Sequence, residues 1–292
     1  MIGLPLWGRS LGYDAFSYWF TDLDARYLLA QQSLYELGAF RYSPPIGLAF
    51  SVFGLLPWWL FLTLWTAVLV ACLAWLGGRW TLVLMAFPLV ALELYHGNIH
   101  LLMAAAVALG FRYPAAWSFV LLTKVTPGIG LLWFAARREW RSLLLALGAT
   151  AMLVGVSLVV APHLWPAWWA TVATSAGEPA ELAIPPPLPV RLIMAAALVT
   201  WGARTDRAWT VGIAAMLSLP NLWPHGLVLA LAAVPALQSG ATSVRPALSI
   251  AIAVAVAVAA ALILLAAPVI ESIVTEASQN VLSSPVPGTP RP

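Results

Sequence analysis

Apolar segments separated by short polar stretches make up most of the chain. A helix needs roughly 20 apolar residues to cross a bilayer, and some of these segments are long enough while others are shorter. The pattern predicts an all-α polytopic integral membrane protein, a bundle of about 8 full spans plus short re-entrant or broken helices. The segments cover about residues 46–56, 58–77, 80–95, 98–111, 114–136, 142–161, 190–203, 208–220, 225–239 and 247–270.

Composition supports this prediction, because 62% of residues are hydrophobic and only 9% are charged. The formal net charge of +3 comes from arginines that stand singly or in short clusters between apolar segments. This distribution is typical of the cytoplasmic loops of a membrane protein and argues against a nucleic-acid-binding face. The single cysteine, Cys72, lies within an apolar segment, which excludes disulfides within the chain and cysteine-based metal sites. We expect cytoplasmic loops at Arg79, Arg112, Arg137, Arg138, Arg141, Arg204, Arg207 and Arg245.

Residues 1–45 differ from the rest, because they combine acidic with aromatic side chains ahead of the apolar body. Residues 1–7 are too short to cross a bilayer and lack the features of a signal peptide. Either the chain begins outside the bilayer or a first helix precedes this sequence. We predict one membrane-embedded domain over 1–270, in which 1–45 form an extracytoplasmic acidic-aromatic loop segment ahead of the helical bundle. Residues 271–292, rich in Ser and Pro, are predicted to be a disordered tail.

Two arginine loops indicate a fold-back in the middle of the chain. Arg112 and Arg137 flank one apolar segment, so a single crossing would put them on opposite sides of the membrane. Both reach the cytoplasm if the segment folds back at residues 126–128, where a proline and a glycine are suited to end a helix. This predicts two helices of about 11 residues, each about 16 Å long, with Lys124 near the tip. A single kinked span is the alternative.

With the fold-back, the polar loops gather on the extracytoplasmic side. One of them, residues 162–189, carries tryptophans typical of interface anchoring and a proline-rich extended stretch over 183–189. The predicted outer segments are residues 8–45, 96–100, 162–189, 221–225 and the tail after 268.

Lys124 is the only lysine and stands alone in an apolar run. A charge at membrane depth costs about 2.5 to 3.5 kcal/mol on insertion scales, so such a residue indicates a functional site that faces protein or water. The alternative is that its long side chain reaches up to the interface. No acid lies near it in the sequence.

Three further polar residues are candidates for chemistry in the outer loops. Asp14 lies among aromatic residues, where a carboxylate can act as general base on a sugar hydroxyl, with a helix cap or surface acid as the alternative. Arg41 precedes a rigid Ser-Pro-Pro turn and suits phosphate oxygens, with interface anchoring as the alternative. His225 opens an apolar helix and suits a proton or a phosphate, with an interfacial histidine as the alternative.

Two histidines, His96 and His100, share a tight turn with Asn98, which can cap the next helix. Their spacing suggests a metal pair, but the intervening glycine argues against one helical face and no third ligand is evident, so we predict no metal. Glu93 is the only carboxylate of its apolar stretch, which suggests a pair with a histidine or with Arg41, with a position near the outer interface as the alternative.

The order of these motifs resembles glycosyltransferase family 87, the polyprenol-phosphate-mannose-dependent mannosyltransferases of the GT-C superfamily. The resemblance runs from about residue 10 to 240, and the turn departs from the family's Gly-Gln-x-Asn in having Asn98 and His100 at its polar positions. The matching motifs are Asp14-Ala-Phe-Ser-Tyr18, Leu34-Tyr35, Tyr42-Ser-Pro-Pro45, Gly97-Asn-Ile-His100, Lys124-Val-Thr-Pro127 with Arg137-Arg138, and Pro220 to His225.

The resemblance implies a GT-C-like fold in the cell membrane, with the active site on the extracytoplasmic side. It implies inverting transfer of a hexose, mannose above all, from a polyprenyl-phosphate sugar to an envelope glycolipid or glycan, without a redox cofactor and without nucleic acid. Asp14 matches the catalytic base, and we assign the donor phosphate to Lys124, helped by Arg41 and His225. The residues expected at the sugars are Tyr18, Tyr35, Asn98, His100 and Trp223.

Two other functions compete with this prediction. Short helices, proline breaks and an intramembrane cation also build substrate pathways, which suggests a transporter or flippase for a lipid or polyprenyl-linked sugar. A non-catalytic membrane partner is the second alternative.

Overall fold

The computed structural model describes residues 11–32, 36–177 and 186–238, and all regular secondary structure in these ranges is helical. The α-helices are α1 (Tyr13–Phe16), α2 (Leu23–Gln32), α3 (Pro44–Phe50), α4 (Trp58–Gly77), α5 (Thr81–Met85), α6 (Pro88–His96), α7 (His100–Leu109), α8 (Trp117–Thr123), α9 (Leu132–Ala136), α10 (Trp140–Val160), α11 (Leu164–Gly177), α12 (Leu188–Arg204), α13 (Trp209–Leu217) and α14 (Val234–Gln238). The 3-10 helices are Ser51–Leu55, Gly78–Trp80, Pro114–Ala116, Thr126–Leu131 and Pro224–Ala233.

Two helical stretches in the described ranges are long and apolar enough to cross a membrane. The first is Trp58–Met85, which continues through a short 3-10 turn for 28 residues, and the second is α10 with 21 residues. Most of the large apolar side chains of α10 are exposed, including Val159 and Leu144. Such a continuous exposed apolar surface is typical of contact with lipid. These helices confirm the membrane character, whereas the total of about eight spans stays a prediction.

The segment around Lys124 folds back on itself. The ring of Phe111, ahead of the segment, lies 5.5 Å from the ring of Trp133 at its far end. A continuous helix of this length would separate the two by about 33 Å at 1.5 Å per residue. The contact between the two ends confirms the fold-back over the single kinked span.

The position of the helix break differs slightly from the prediction. Helix α8 ends at Thr123, and Lys124 has extended backbone angles, φ −144° and ψ 117°. Pro127 lies in the first turn of the following helix, where its missing N–H is not needed. The break leaves the Leu122 carbonyl without its helical partner, and both the amide and the hydroxyl of Ser43 donate to it, at 3.2 and 2.6 Å. The turn that follows Arg41 is therefore fastened beside Lys124.

A second break separates α6 from α7, which are bent by 107° relative to each other. Gly97 makes this turn with φ +67° and ψ 36°, a left-handed conformation that glycine adopts without steric cost. A Cβ at this position would lie 2.8 Å from the Cβ of Ala15, so α1 packs directly on the turn. The amide of Gly12 also donates to the carbonyl of Tyr95 at 2.8 Å. Helix α1 is thus docked on the α6–α7 turn.

The acidic-aromatic segment folds onto the bundle through a cluster of rings. Tyr18 is almost fully buried, with its ring centroid 5.1 Å from that of Trp65 in α4 and 5.5 Å from that of Phe50 in α3. Edge and tilted contacts of this kind add to the stabilisation from apolar burial. The segment predicted as a loop therefore contains two helices packed against the bundle.

The prediction of a loop over residues 162–189 is wrong in its first half. Residues 164–177 form α11, which packs along α2, with Gln31 donating to the Ala167 carbonyl at 3.2 Å and Thr171 donating to the Tyr27 carbonyl at 3.3 Å. The tryptophans that suggested an interface loop lie in this helix. Of the predicted extended stretch, residues 183–185 lie outside the described residues, whereas residues 188 and 189 already belong to α12 and are helical. The predicted tail also lies outside the described residues.

Candidate active site

Asp14 is held by the α6–α7 turn. The side-chain amide of Asn98 donates to Asp14 Oδ2 at 2.7 Å, while Asn98 Oδ1 accepts from the amide of Ile99 at 2.6 Å, which fixes the orientation of the amide group. Burial raises the pKa of Asp14 above its ordinary value, and the Asn98 hydrogen bond and nearby His96 oppose that rise. About a quarter of the Asp14 side chain stays exposed, so its carboxylate is both oriented and accessible.

Three imidazoles surround the same turn. His225 Nε2 lies 3.3 Å from Asn98 Nδ2, and its ring centroid is 6.0 Å from that of His96 and 5.6 Å from that of His100. His225 follows Pro224, which begins the 3-10 helix Pro224–Ala233. The structure therefore brings His225 together with the 96–100 turn across more than 100 residues of chain.

Lys124 joins the other side of this group through His100. Lys124 Nζ lies 2.7 Å from His100 Nε2, and the Nδ1 atom of the same ring lies 3.2 Å from Glu93 Oε2. The other Glu93 oxygen accepts from the His100 amide at 2.7 Å. Lys124 thus has a carboxylate one imidazole away, although no acid is near it in the sequence, and the donor phosphate as its counter-ion stays a prediction. Of the partners predicted for Glu93, the structure selects a histidine.

The site has an accessible layer and a buried layer. Asp14, His96, Lys124 and His225 are half-buried, whereas Glu93, Asn98 and His100 are buried behind them. A lysine ammonium has three donors, and His100 accepts one, which leaves two for a ligand. The accessible layer therefore offers a carboxylate, an ammonium and two imidazoles supported by buried hydrogen-bonding groups.

A metal ligand set was not evident in the sequence, but the structure supplies one candidate. Ligand atoms of Glu93, His100 and His225 lie within 4.8 Å of one another. Two histidines and a carboxylate suit zinc. The two ring nitrogens of His100, however, already face Glu93 and Lys124, so a cation fits here only if these hydrogen bonds are displaced. The arrangement is first of all a hydrogen-bond network.

Arg41 lies near the site, and Trp223 adjoins His225. Arg41 is half-buried and close enough to Tyr13 for its charge to act on that phenol, although burial dominates and raises the Tyr13 pKa. Trp223 is half-buried and belongs to the same turn as His225. Both therefore stay candidates for substrate contact.

The two predicted tyrosines differ in what the structure says of them. Tyr18 is 3% exposed, stacks on Tyr42 and shares a hydrogen bond of 3.1 Å with the Tyr42 hydroxyl, so its ring belongs to the aromatic core. Burial holds the Tyr18 pKa well above its ordinary range. Tyr35 lies outside the described residues.

One buried cation was overlooked in the sequence. Arg191 in α12 is 2% exposed, and its guanidinium donates to four carbonyls at 2.7 to 3.0 Å. Three of these carbonyls lie at the end of α13 and in the turn that leads from it toward His225. Arg191 gives the same sequence signal as Lys124, a single charge in an apolar segment. The accepting carbonyls are those of Pro186, Leu217, Leu219 and Pro220.

A family model supports the prediction made from the motifs. Residues 40–268 match the model of glycosyltransferase family 87. The chain belongs to glycosyltransferase family 87. Membership in family 87, with the apolar helices, indicates a membrane glycosyltransferase that uses a donor and an acceptor. The chain matches no curated protein and no solved structure.

The family 87 match covers most of the site but not all of it. Glu93, His100, Lys124 and His225 lie inside the matched residues, whereas Asp14 precedes them. The place of Asp14 in the site therefore rests on the geometry alone, through its bond to Asn98.

Proposed function

We propose that the protein transfers a hexose, with mannose as the expected sugar, from a polyprenyl-phosphate donor to an envelope glycolipid or glycan. The observation that carries this proposal is the joining of Asp14 and Lys124 to one polar network, through Asn98, His225 and His100. A base for the acceptor and a cation for the donor phosphate are the two groups that this transfer needs. The proposed location is the extracytoplasmic face of the cell membrane.

In the proposed reaction, Asp14 acts on the acceptor. Its Oδ2 accepts from Asn98, which leaves Oδ1 to take the proton of an acceptor hydroxyl. The hydroxyl oxygen forms a bond to the anomeric carbon as the bond from that carbon to the phosphate oxygen breaks. Attack from the face opposite the leaving phosphate inverts the configuration. The raised Asp14 pKa makes the carboxylate a stronger base than an exposed aspartate.

Lys124 acts on the donor. The bonding electrons leave with the phosphate, so negative charge grows on its oxygens in the transition state. The two Lys124 N–H donors not used by His100 suit this charge, with His225 and Arg41 as further donors. Among the residues expected at the sugars, Asn98 and His100 are buried and hold the network, so half-buried Trp223 is the proposed stacking partner. Helix α1, which carries Asp14, supplies the acceptor side.

The test is sugar transfer by the purified chain in proteoliposomes. Labelled polyprenyl-phosphate mannose, with the glucose donor as comparison, is incubated with envelope lipids and glycans, and products are identified by mass spectrometry. We expect transfer by the wild type, a loss of about 10² to 10⁴ in rate for Asp14→Asn, and a loss of about 10² to 10³ for Lys124→Met. Movement of the donor across the bilayer without a new covalent product would support the flippase alternative and refute the proposal.

Control variants separate chemistry from folding. Asp24→Asn makes the same chemical change at an exposed carboxylate that lies 3.4 Å from His163, and Arg204→Met removes an exposed cation. Both should transfer at the wild-type rate. Full activity of Asp14→Asn or Lys124→Met would remove that residue from the mechanism.

A further inference from the structure

The residues behind Lys124 form a short hydrogen-bonded chain. Glu93, 0% exposed, holds His100 by both its amide and its ring, and His100, 1% exposed, holds Lys124 by its other ring nitrogen. Neither Glu93 nor His100 reaches the accessible layer, so their contribution to a ligand must pass through Lys124 or its neighbours. The carboxylate is thus placed where it acts on the site indirectly.

The geometry determines which nitrogen of His100 carries the proton. An ammonium can only donate, so the Nε2 atom that faces Lys124 Nζ at 2.7 Å must offer its lone pair. The ring proton then lies on Nδ1, where Glu93 Oε2 accepts it at 3.2 Å. A carboxylate only accepts when ionised, so Glu93 selects this tautomer and rejects the other.

We propose that Glu93 is a positioning residue that, through His100, keeps Lys124 charged and aimed at the donor phosphate. The proposal rests on the assignment of that phosphate to Lys124 in the proposed function. In other enzymes, a buried carboxylate that accepts from one ring nitrogen of a histidine fixes the tautomer and the orientation of the ring toward the partner of its other nitrogen. Here the partner is an ammonium.

Replacing Glu93 with glutamine should disturb Lys124 in two ways. The variant loses a negative charge near Lys124, and the new amide can donate to His100 Nδ1. The ring proton would then move to Nε2 and face the ammonium, donor against donor. The remaining charged or titratable groups that act on Lys124 are Asp14, His100 and His225. With Glu93 neutralised, Lys124 gives up its proton at lower pH.

The experiment measures binding of a short-chain polyprenyl phosphate to the full chain in nanodiscs between about pH 6 and pH 10. We expect wild-type binding to fall at high pH as Lys124 deprotonates. This fall is the alkaline limb of the binding curve, and in Glu93→Gln it should move down by about 1 to 3 pH units, the effect of one nearby charge. In transfer assays the donor KM should rise while the acceptor KM stays unchanged. Glu139→Gln, the same change at an exposed carboxylate beside Arg137, should behave as wild type.

Several outcomes would overturn the proposal. An alkaline limb that stays in place in Glu93→Gln, or equal effects on donor and acceptor KM, would leave Glu93 only a structural role. Stoichiometric zinc or manganese binding that is lost in Glu93→Gln, with activity lost on chelation, would make the cluster a metal site instead. If Glu93→Gln does not fold, Glu93→Asp is measured instead. Glu93→Asp keeps the charge, so it should weaken polyprenyl phosphate binding without moving the alkaline limb. An alkaline limb that moves in Glu93→Asp would contradict the proposal.

The binding arm separates this proposal from the proposed function. Polyprenyl phosphate binding that requires Lys124 but accompanies no sugar transfer would refute the enzyme while still testing Glu93. Absence of polyprenyl phosphate binding to the wild type would overturn both. Transfer with an unmoved alkaline limb in Glu93→Gln would overturn only the role of Glu93.

Discussion

The hydrogen bond from Asn98 to Asp14 should set the acid limit of activity. Only the ionised carboxylate can accept a proton, so activity falls as the pH drops through the Asp14 pKa, which burial has already raised. The Asn98 bond stabilises the ionised form and therefore holds that pKa down. Removing it with Asn98→Ala should raise the Asp14 pKa further, so activity is lost at a higher pH than in the wild type.

The size of this effect follows from the bond. A hydrogen bond to a charged group contributes about 1.5 to 3 kcal/mol, and each pH unit corresponds to about 1.36 kcal/mol. The acid limb of kcat/KM should therefore move up by about 1 to 2 pH units. The 2.7 Å distance favours a shift at the upper end of this range, whereas the partial exposure of Asp14 favours a shift at the lower end.

The assay is kcat/KM for sugar transfer from about pH 4 to pH 9, a window that covers ordinary and raised carboxyl pKa values. Gln31→Ala is the matched control, because it removes an amide that donates to the Ala167 carbonyl rather than to a carboxylate. Its acid limb should coincide with that of the wild type. An Asn98→Ala limb that stays in place or moves to lower pH would refute Asp14 as the titrating base.

Two further predictions concern the elements that hold the site. Arg191→Met leaves four carbonyls without their donor, so thermal unfolding in detergent should show a loss of stability of about 3 kcal/mol or more. Arg204→Met, at an exposed position, should change the stability little. Equal melting temperatures for the two variants would contradict the structural role of Arg191. Gly97→Ala forces a side chain into a left-handed conformation and against Ala15, which should cost about 1 to 2 kcal/mol and lower the transfer rate. Gly148→Ala, in an open stretch of α10, should be neutral or slightly stabilising, and a harmless Gly97→Ala would show that α1 does not depend on this turn.

The sequence revealed the parts of the site that carry an isolated charge. Lys124 stood out because a single ammonium in an apolar run is costly, and Glu93 stood out for the same reason. Their connection through His100 was not predictable, because it depends on a 107° bend whose direction no local pattern contains. Arg191 is also an isolated charge in an apolar segment, but the high average hydrophobicity of that segment concealed it.

The fold was predictable where the length of an apolar segment determines the structure, and it was less predictable elsewhere. The fold-back at Lys124 followed from the arginines on its two sides, although the break lies at Lys124 rather than at residues 126–128. Helix α11 was missed because its tryptophans suggested an interface loop, whereas Ala167 and Thr171 hold it against α2. Packing against a segment distant in the sequence stabilises this helix, and such contacts cannot be predicted from the local sequence.

The polar network draws on residues as far apart as Asp14 and His225. A ribosome must therefore synthesise most of the polypeptide before the network can close. Until then, the nascent Lys124 segment has His100 and Glu93 beside it but lacks His225. The complete network, and with it the proposed site, can therefore form only after His225 has been synthesised.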